Sequence, residues 1–222
     1  AGLGSAVAKI QHDLRNILAS AQLASDRLAT VADPVVQRLA PRLVASLDHA
    51  VALATNTLRY GRAEETPPER RRFHLRPLID EAAEAALAAA APMQPITLID
   101  EVDPLLEIDA DSEQLFRIVL NLLRNATQAL EKQSKPPEIV VSAKRARGHV
   151  QIDIADNGPG VPQALRERLF QPFATTARPG GSGLGLAISR DLARAHGGDI
   201  ALVSTDESGT RFRIDIPDRE AH

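Results

Sequence analysis

The chain of 222 residues contains no cysteine and no tryptophan, a single tyrosine and a single methionine, and only 3% aromatic residues. Without cysteine there can be no disulfide, no thiol nucleophile and no thiolate metal site, a composition that fits a reducing compartment. Scarce aromatics beside abundant alanine and leucine predict a core made largely of helix packed on helix through small side chains. Charge of one sign is also missing. The 26 basic and 29 acidic residues leave a net charge of -3, so there is no electrostatic case for nucleic acid or for an anionic membrane. No apolar run is long enough to cross a bilayer and no signal peptide opens the sequence. The expectation is a soluble, cytoplasmic chain without membrane contact of its own, a piece of something larger. At 44% hydrophobic and 25% charged residues, it has the composition of one or two ordinary globular domains.

What is present begins with a heptad pattern. Leu3, Val7, Ile10, Leu14, Ile17, Ala21, Ala24, Leu28 and Val31 step alternately by four and three, which predicts a helix packed in a bundle. With Ile10 and Leu14 on the seam, His12 falls on the opposite, solvent-facing side, and Asn16 lies one turn along the same side. Pro34 ends this helix. A second one follows through Val36, Ala40, Leu43, Leu47, Ala50 and Ala54, until Gly61. Two such helices form an antiparallel hairpin whose apolar seam needs a partner, and a second copy of the chain completes a four-helix bundle. The segment "EETPPERRR", Glu64 to Arg72, then breaks the pattern with paired prolines and charge and reads as a linker. The expected division is therefore a helical hairpin over 1–63, a linker over 64–72 and a second domain over 73–222.

Beyond the linker, helical and strand periodicities alternate. Leu75 to Ala91 reads as a helix, "ITLIDEV" as a strand, and Asp111 as the cap of a helix carrying "LFRIVLNLLRNATQAL", with Gln114 three residues on. "EIVVSAKRA" and "HVQIDIAD" read as strands joined by a tight turn at Gly148. A Gly/Pro loop, a short helix near Pro162 to Phe170, a glycine-rich entry into a helix reaching His196, and a strand, turn and strand complete the chain. Several strands on one sheet, covered by helices, make an α/β sandwich.

Four motifs carry the chemistry, each modest alone. Asn121 and Asn125 put two amides, poor helix formers, on one face of an apolar helix. "DNGPG", Asp156 to Gly160, follows a strand. "FQPFATT" contains Phe170 and Phe173, and "GGSGLGLAISR" opens a helix with glycines that let backbone N–H groups approach phosphates. Their order within about seventy residues is the pattern of the GHKL ATP-binding fold. With the histidine helix ahead of it, nearly the whole chain resembles the transmitter core of a sensor histidine kinase. His12, Asp13, Leu14, Arg15 and Asn16 are similar to the phosphoacceptor box. Asn121 and Asn125 resemble the N box, Asp156 to Gly160 the G1 box, Phe170 and Phe173 the F box, and Gly181 to Leu186 the G2 box.

The resemblance implies a role for each residue. Asp156 accepts a hydrogen bond from the adenine amino group, Gly158 and Gly160 let the backbone turn closely around the nucleotide, and Thr210 helps to hold the base. Asn125 offers an oxygen to Mg²⁺ and Asn121 supports the same edge. Gly181, Gly183, Leu184 and Gly185 bring a helix N-terminus to the phosphates of ATP. His12 is the nucleophile, mostly neutral at pH 7, and Asp13 steers it by accepting the proton of its other ring nitrogen. Asn16, an uncharged amide, orients a water for dephosphorylation of a partner. The implied protein is a homodimer that moves a phosphoryl group from Mg-ATP to His12 and on to an aspartate in a response regulator receiver domain, as the cytoplasmic part of a larger sensor. The chain departs from the family at Ile17, where proline is frequent, at Gln128, where a basic residue is frequent, and in the short "ATTARPGG" lid. A docking or phosphotransfer scaffold with a vestigial ATP fold is the alternative, and the intact Asp156, Asn125 and glycine boxes argue against it. Other GHKL ATPases share the nucleotide boxes but lack the histidine hairpin.

Overall fold

The computed structural model describes residues 67–218 except 91, 132, 134, 173 and 175–182. The expected hairpin, with His12, Asp13 and Asn16, lies outside the described residues, as do Phe173, Gly181 and most of the lid segment.

Eleven elements follow in order: β1 (Arg71–His74), α1 (Leu75–Ala88), β2 (Thr97–Asp100), β3 (Glu107–Ala110), α2 (Ser112–Leu130), β4 (Glu138–Ala146), β5 (His149–Asp156), α3 (Gln163–Arg166), α4 (Gly185–Ala195), β6 (Asp199–Asp206) and β7 (Gly209–Pro217). Five strands form one sheet in the order β2-β4-β5-β7-β6, with only the β2–β4 pair parallel. The β4–β5 hairpin turns at Arg147 and Gly148, whose φ values are both positive, the backbone that a tight two-residue hairpin turn demands.

Alternation along the strands decides which face is covered. Val150, Ile152 and Ile154 of β5 stand opposite Ile216, Ile214 and Phe212 of β7, and all six are buried. The residues between them point to the other face and pair across the same ladder. Arg213 grips Asp153 through two bonds of 2.6 and 2.7 Å, and Gln151 donates to Asp215 at 2.9 Å. That face is polar. Helix α2 packs against α1, α4, β4 and β5; its Leu115, Ile118, Val119, Leu122, Leu123, Ala126 and Leu130 are buried at the spacing of one helical face. Asp111 caps it as expected, its carboxylate accepting from Gln114 N at 3.0 Å.

Some expectations shift. α1 ends at Ala88 rather than Ala91, α3 is a single turn, and a separate two-stranded ladder joins β1 to β3 antiparallel. Strand β1 begins at Arg71, inside the charged stretch expected as linker. Arg70, just before it, is folded into the domain with its side chain 5% exposed. Its guanidinium donates to the Asp109 carboxylate at 3.2 Å, to Asp109 O at 2.6 Å, to His196 O at 2.7 Å and to Pro217 O. His196, buried at the end of α4, ties that end to the start of α2. Its Nε2 accepts from Asp111 N at 3.1 Å while Nδ1 donates to Leu192 O at 2.9 Å. Burial holds its pKa below the ordinary histidine value.

Candidate nucleotide site

Asp156 is the last residue of β5 and stands opposite Thr210 of β7. Its Oδ1 accepts from Gly158 N at 2.9 Å, and the backbone N–H of Thr210 is also directed at the carboxyl. Burial outweighs those two amides and raises the carboxyl pKa from 3.8 to about 6. A carboxylate so poorly hydrated, with acceptor capacity to spare, favours a ligand that donates to it.

The loop after Asp156 is shaped by what surrounds it. A Cβ on Gly158 would lie 2.7 Å from Asp156 Oδ1 and 3.4 Å from Ala129 Cβ on α2, so glycine alone lets the loop lie between the acid and that helix. Gly160 has φ +78°, and a Cβ there would lie 2.2 Å from Asp206 O. Asn157 does structural work: it accepts from Glu138 N at 2.9 Å and Gln133 Nε2 at 3.0 Å, and donates to Pro136 O at 2.9 Å. Thr210, 6% exposed, shares a hydroxyl–hydroxyl bond of 3.3 Å with Thr205, whose Oγ1 also accepts from Val161 N at 2.7 Å.

Asn121 and Asn125 lie one turn apart on α2, with Ala129 a further turn along. Asn121 donates from Nδ2 to Ser189 Oγ on α4 at 3.2 Å. The Nδ2 of Asn125 is buried with no hydrogen-bond partner among the described residues, a donor that an acceptor oxygen of a ligand, such as a phosphate oxygen, would satisfy. Gly185 is the first residue of α4, and Gly183 before it has φ +66°. Leu184 between them is buried, and Gln128 is exposed on α2. Phe170 meets Phe212 edge-on at 6.3 Å between ring centres and carries the Arg190 guanidinium 4.6 Å above its ring. Arg190 also holds Asp199 through two bonds of 2.7 and 2.8 Å.

The structure thus brings Asp156, Gly158 and Thr210 together at one end of the central ladder and Asn121 with Gly185 at the α2–α4 contact; Gly158 against Ala129 links the two groups. Sequence reasoning gave no role to Thr205, Ser189, Asn157 or Gly209. Gly209 passes so close to Asp156 O that a Cβ would lie 2.1 Å away; "ESGT" shows a turn there but not what the turn leans on. Among the described residues no group of three or more acidic or histidine side chains is placed to hold a metal ion, and no helix is long and apolar enough to cross a membrane.

Residues 110–220 match the family model of the histidine kinase-, DNA gyrase B-, and HSP90-like ATPase. The sensory histidine kinase/phosphatase NtrB of Salmonella typhimurium is 30% identical over 223 residues, a match covering 95% of this chain and 61% of NtrB. Full-length ShkA, solved in complex with AMPPNP, aligns over 98% of this chain and 46% of its own, with TM-score 0.74 and 26% identity. Histidine kinase ThkA, solved in complex with the response regulator protein TrrA, aligns over 98% of this chain and 62% of its own, with TM-score 0.66 and 25% identity. The chain spans less than two thirds of each of these relatives. With half of its length matched by the ATPase model and relatives of this kind, the chain belongs to the histidine kinase-, DNA gyrase B-, and HSP90-like ATPase family, as a transmitter core of the sensor histidine kinase type.

Proposed function

We propose that the chain binds Mg-ATP, moves its γ-phosphoryl group to His12, and passes it to an aspartate of a response regulator receiver domain. The observation that carries this reading is Asp156, an underhydrated acid at the end of β5 held by two backbone amides. Its free acceptor capacity suits the amino group of adenine, and the AMPPNP bound by ShkA and the regulator bound by ThkA support both halves of the proposal.

Asn125 would contribute its side-chain oxygen to Mg²⁺, which supplies charge neutralisation at the phosphate oxygens. Asn121, one turn earlier on α2, would support the same edge with a second amide oxygen. Gly183, Leu184 and Gly185, with Gly181 before them, would set the start of α4 against the phosphates. His12 supplies the lone pair: a bond forms between its ring nitrogen and the γ-phosphorus while the bond from that phosphorus to the bridging oxygen breaks, releasing ADP. Asp13 accepts the hydrogen bond of the other ring nitrogen, a role worth roughly 10² to 10⁴ in rate where it acts as a general base. Asn16 would hold a water for hydrolysis of the phosphorylated regulator. The hairpin over 1–63 would dimerise as a four-helix bundle, joined to the ATP-binding domain through a linker shorter than the expected 64–72, since Arg70 and β1 already belong to that domain, in the cytoplasmic part of a longer sensor.

The test is base selectivity. Guanine presents an acceptor oxygen where adenine presents its amino donor, so facing the Asp156 carboxylate it should bind more weakly by about 10²-fold or more. Calorimetric titration with Mg-ATP and Mg-GTP should show that preference. Equal affinities, or no binding of either, would reject the assignment.

A further inference from the structure

Ser189 sits on α4 among the buried residues Ala187, Leu192 and Ala193, and is itself 0% exposed. A buried hydroxyl without a partner is costly, and the bond that satisfies this one comes from Asn121 Nδ2, 3.2 Å away on α2. In a helix the hydroxyl proton of serine commonly goes to the carbonyl four residues back, which leaves its oxygen free to accept. The other end of the Asn121 amide is placed by the same bond. A Cβ built on Gly185 would lie 3.8 Å from Asn121 Cγ and 3.9 Å from Oδ1, so the carboxamide lies over the first residue of α4 with its oxygen beside the helix start.

We propose that Ser189 is a positioning residue: by accepting from Asn121 Nδ2 it keeps the Asn121 oxygen turned toward the first turn of α4, and so makes the site favour metal-bound over metal-free triphosphate. The proposal rests on the nucleotide reading above and adds a residue to it. An amide oxygen attracts a cation and repels bare phosphate oxygens, whereas an amide free to rotate can offer its NH₂ group to the phosphates instead. Ser189 removes that second option. Because the partner lies on a different helix, the same bond also fixes the spacing of α2 and α4 at the site.

Two measurements on the 222-residue chain test this. In calorimetric titrations with ATP in excess Mg²⁺ and with ATP in EDTA, Ser189→Ala should weaken the Mg²⁺ arm by about 3–10-fold, the size of one ordinary hydrogen bond, and leave the EDTA arm unchanged or improved. Equal losses in both arms, or no loss in either, overturn the proposal while leaving the nucleotide reading intact. Absence of ATP binding by the wild-type chain in both arms overturns the reading and the proposal together. Independently, in ¹⁵N spectra of the nucleotide-free protein, the side-chain NH₂ signal of Asn121, assigned by its loss in Asn121→Ala, should exchange slowly with water in wild type. It should exchange faster in Ser189→Ala. Unchanged exchange overturns the proposal. If Ser189→Ala does not fold, Ser189→Cys, with a weaker acceptor in similar volume, is read by the same criteria.

Discussion

Asp156→Asn should make the nucleotide-free domain more stable and at the same time abolish its use. Burial holds the Asp156 proton up to about pH 6, whereas the ordinary carboxyl releases it near 3.8. Between those values the folded state binds more protons than the unfolded state, so stability falls as pH rises through the window and the full cost is present above about pH 6. At about 1.4 kcal/mol per pH unit the difference approaches about 3 kcal/mol, and partial solvent access to the side chain places the expected gain for Asn at about 1–3 kcal/mol. Asn has the shape of the protonated acid and can still accept from Gly158 N. Urea unfolding at pH 8 should therefore show Asp156→Asn as the more stable protein, and at pH 4 the two should converge. Saturating Mg-ATP inverts the order, because at about 1,000 times the dissociation constant it stabilises the wild type by about 4 kcal/mol and gives the variant little. The same ionisation makes wild-type affinity fall as pH drops through about 6. A variant less stable than wild type at pH 8, or an advantage that does not change with pH, would refute the reasoning.

Gly158→Ala places a methyl 2.7 Å from Asp156 Oδ1; it should lower Mg-ATP affinity by about tenfold or more and stability by about 1–3 kcal/mol, read by calorimetry and urea unfolding, and unchanged affinity would show that the carboxylate position does not matter. Arg70→Ala strips a buried guanidinium from the Asp109 carboxylate and from carbonyls of Asp109, His196 and Pro217, and should cost about 3–5 kcal/mol in the same unfolding assay; a loss below about 1 kcal/mol would mean the charge is solvated. Asn16→Ala should retain most labelling of His12 yet lose stimulation of regulator dephosphorylation, followed as decay of a phosphorylated receiver domain; equal stimulation by both proteins would make Asn16 an ordinary surface amide.

How much of this was legible in the sequence depended on distance along the chain. Strands β4 and β5 announce themselves through Ile139, Val141, Val150, Ile152 and Ile154, apolar at every second position, and the α2 cap is written in Asp111 and Gln114. Strands β1 and β3 have four residues each, too few for a period to stand out, and β1 is half arginine. Arg70 reads as part of a linker in "EETPPERRR" because nothing nearby reveals that it answers carbonyls of residues 109, 196 and 217. The motif residues Asp156, Gly158 and Asn125 were legible by type and order. Their energetic state was not: the dehydration of Asp156 and the Asn121–Ser189 bond both arise between segments far apart in sequence, from packing that no local pattern encodes.

The most direct test of the central claim is to incubate wild-type chain and His12→Gln with ATP labelled at the γ-phosphate and Mg²⁺, then measure label on protein before and after mild acid. The account predicts acid-labile, base-stable label on wild type and none on His12→Gln, which should still bind Mg-ATP because Asp156, Asn121 and Asn125 are untouched. Label that persists on His12→Gln, or that survives acid on wild type, would contradict it.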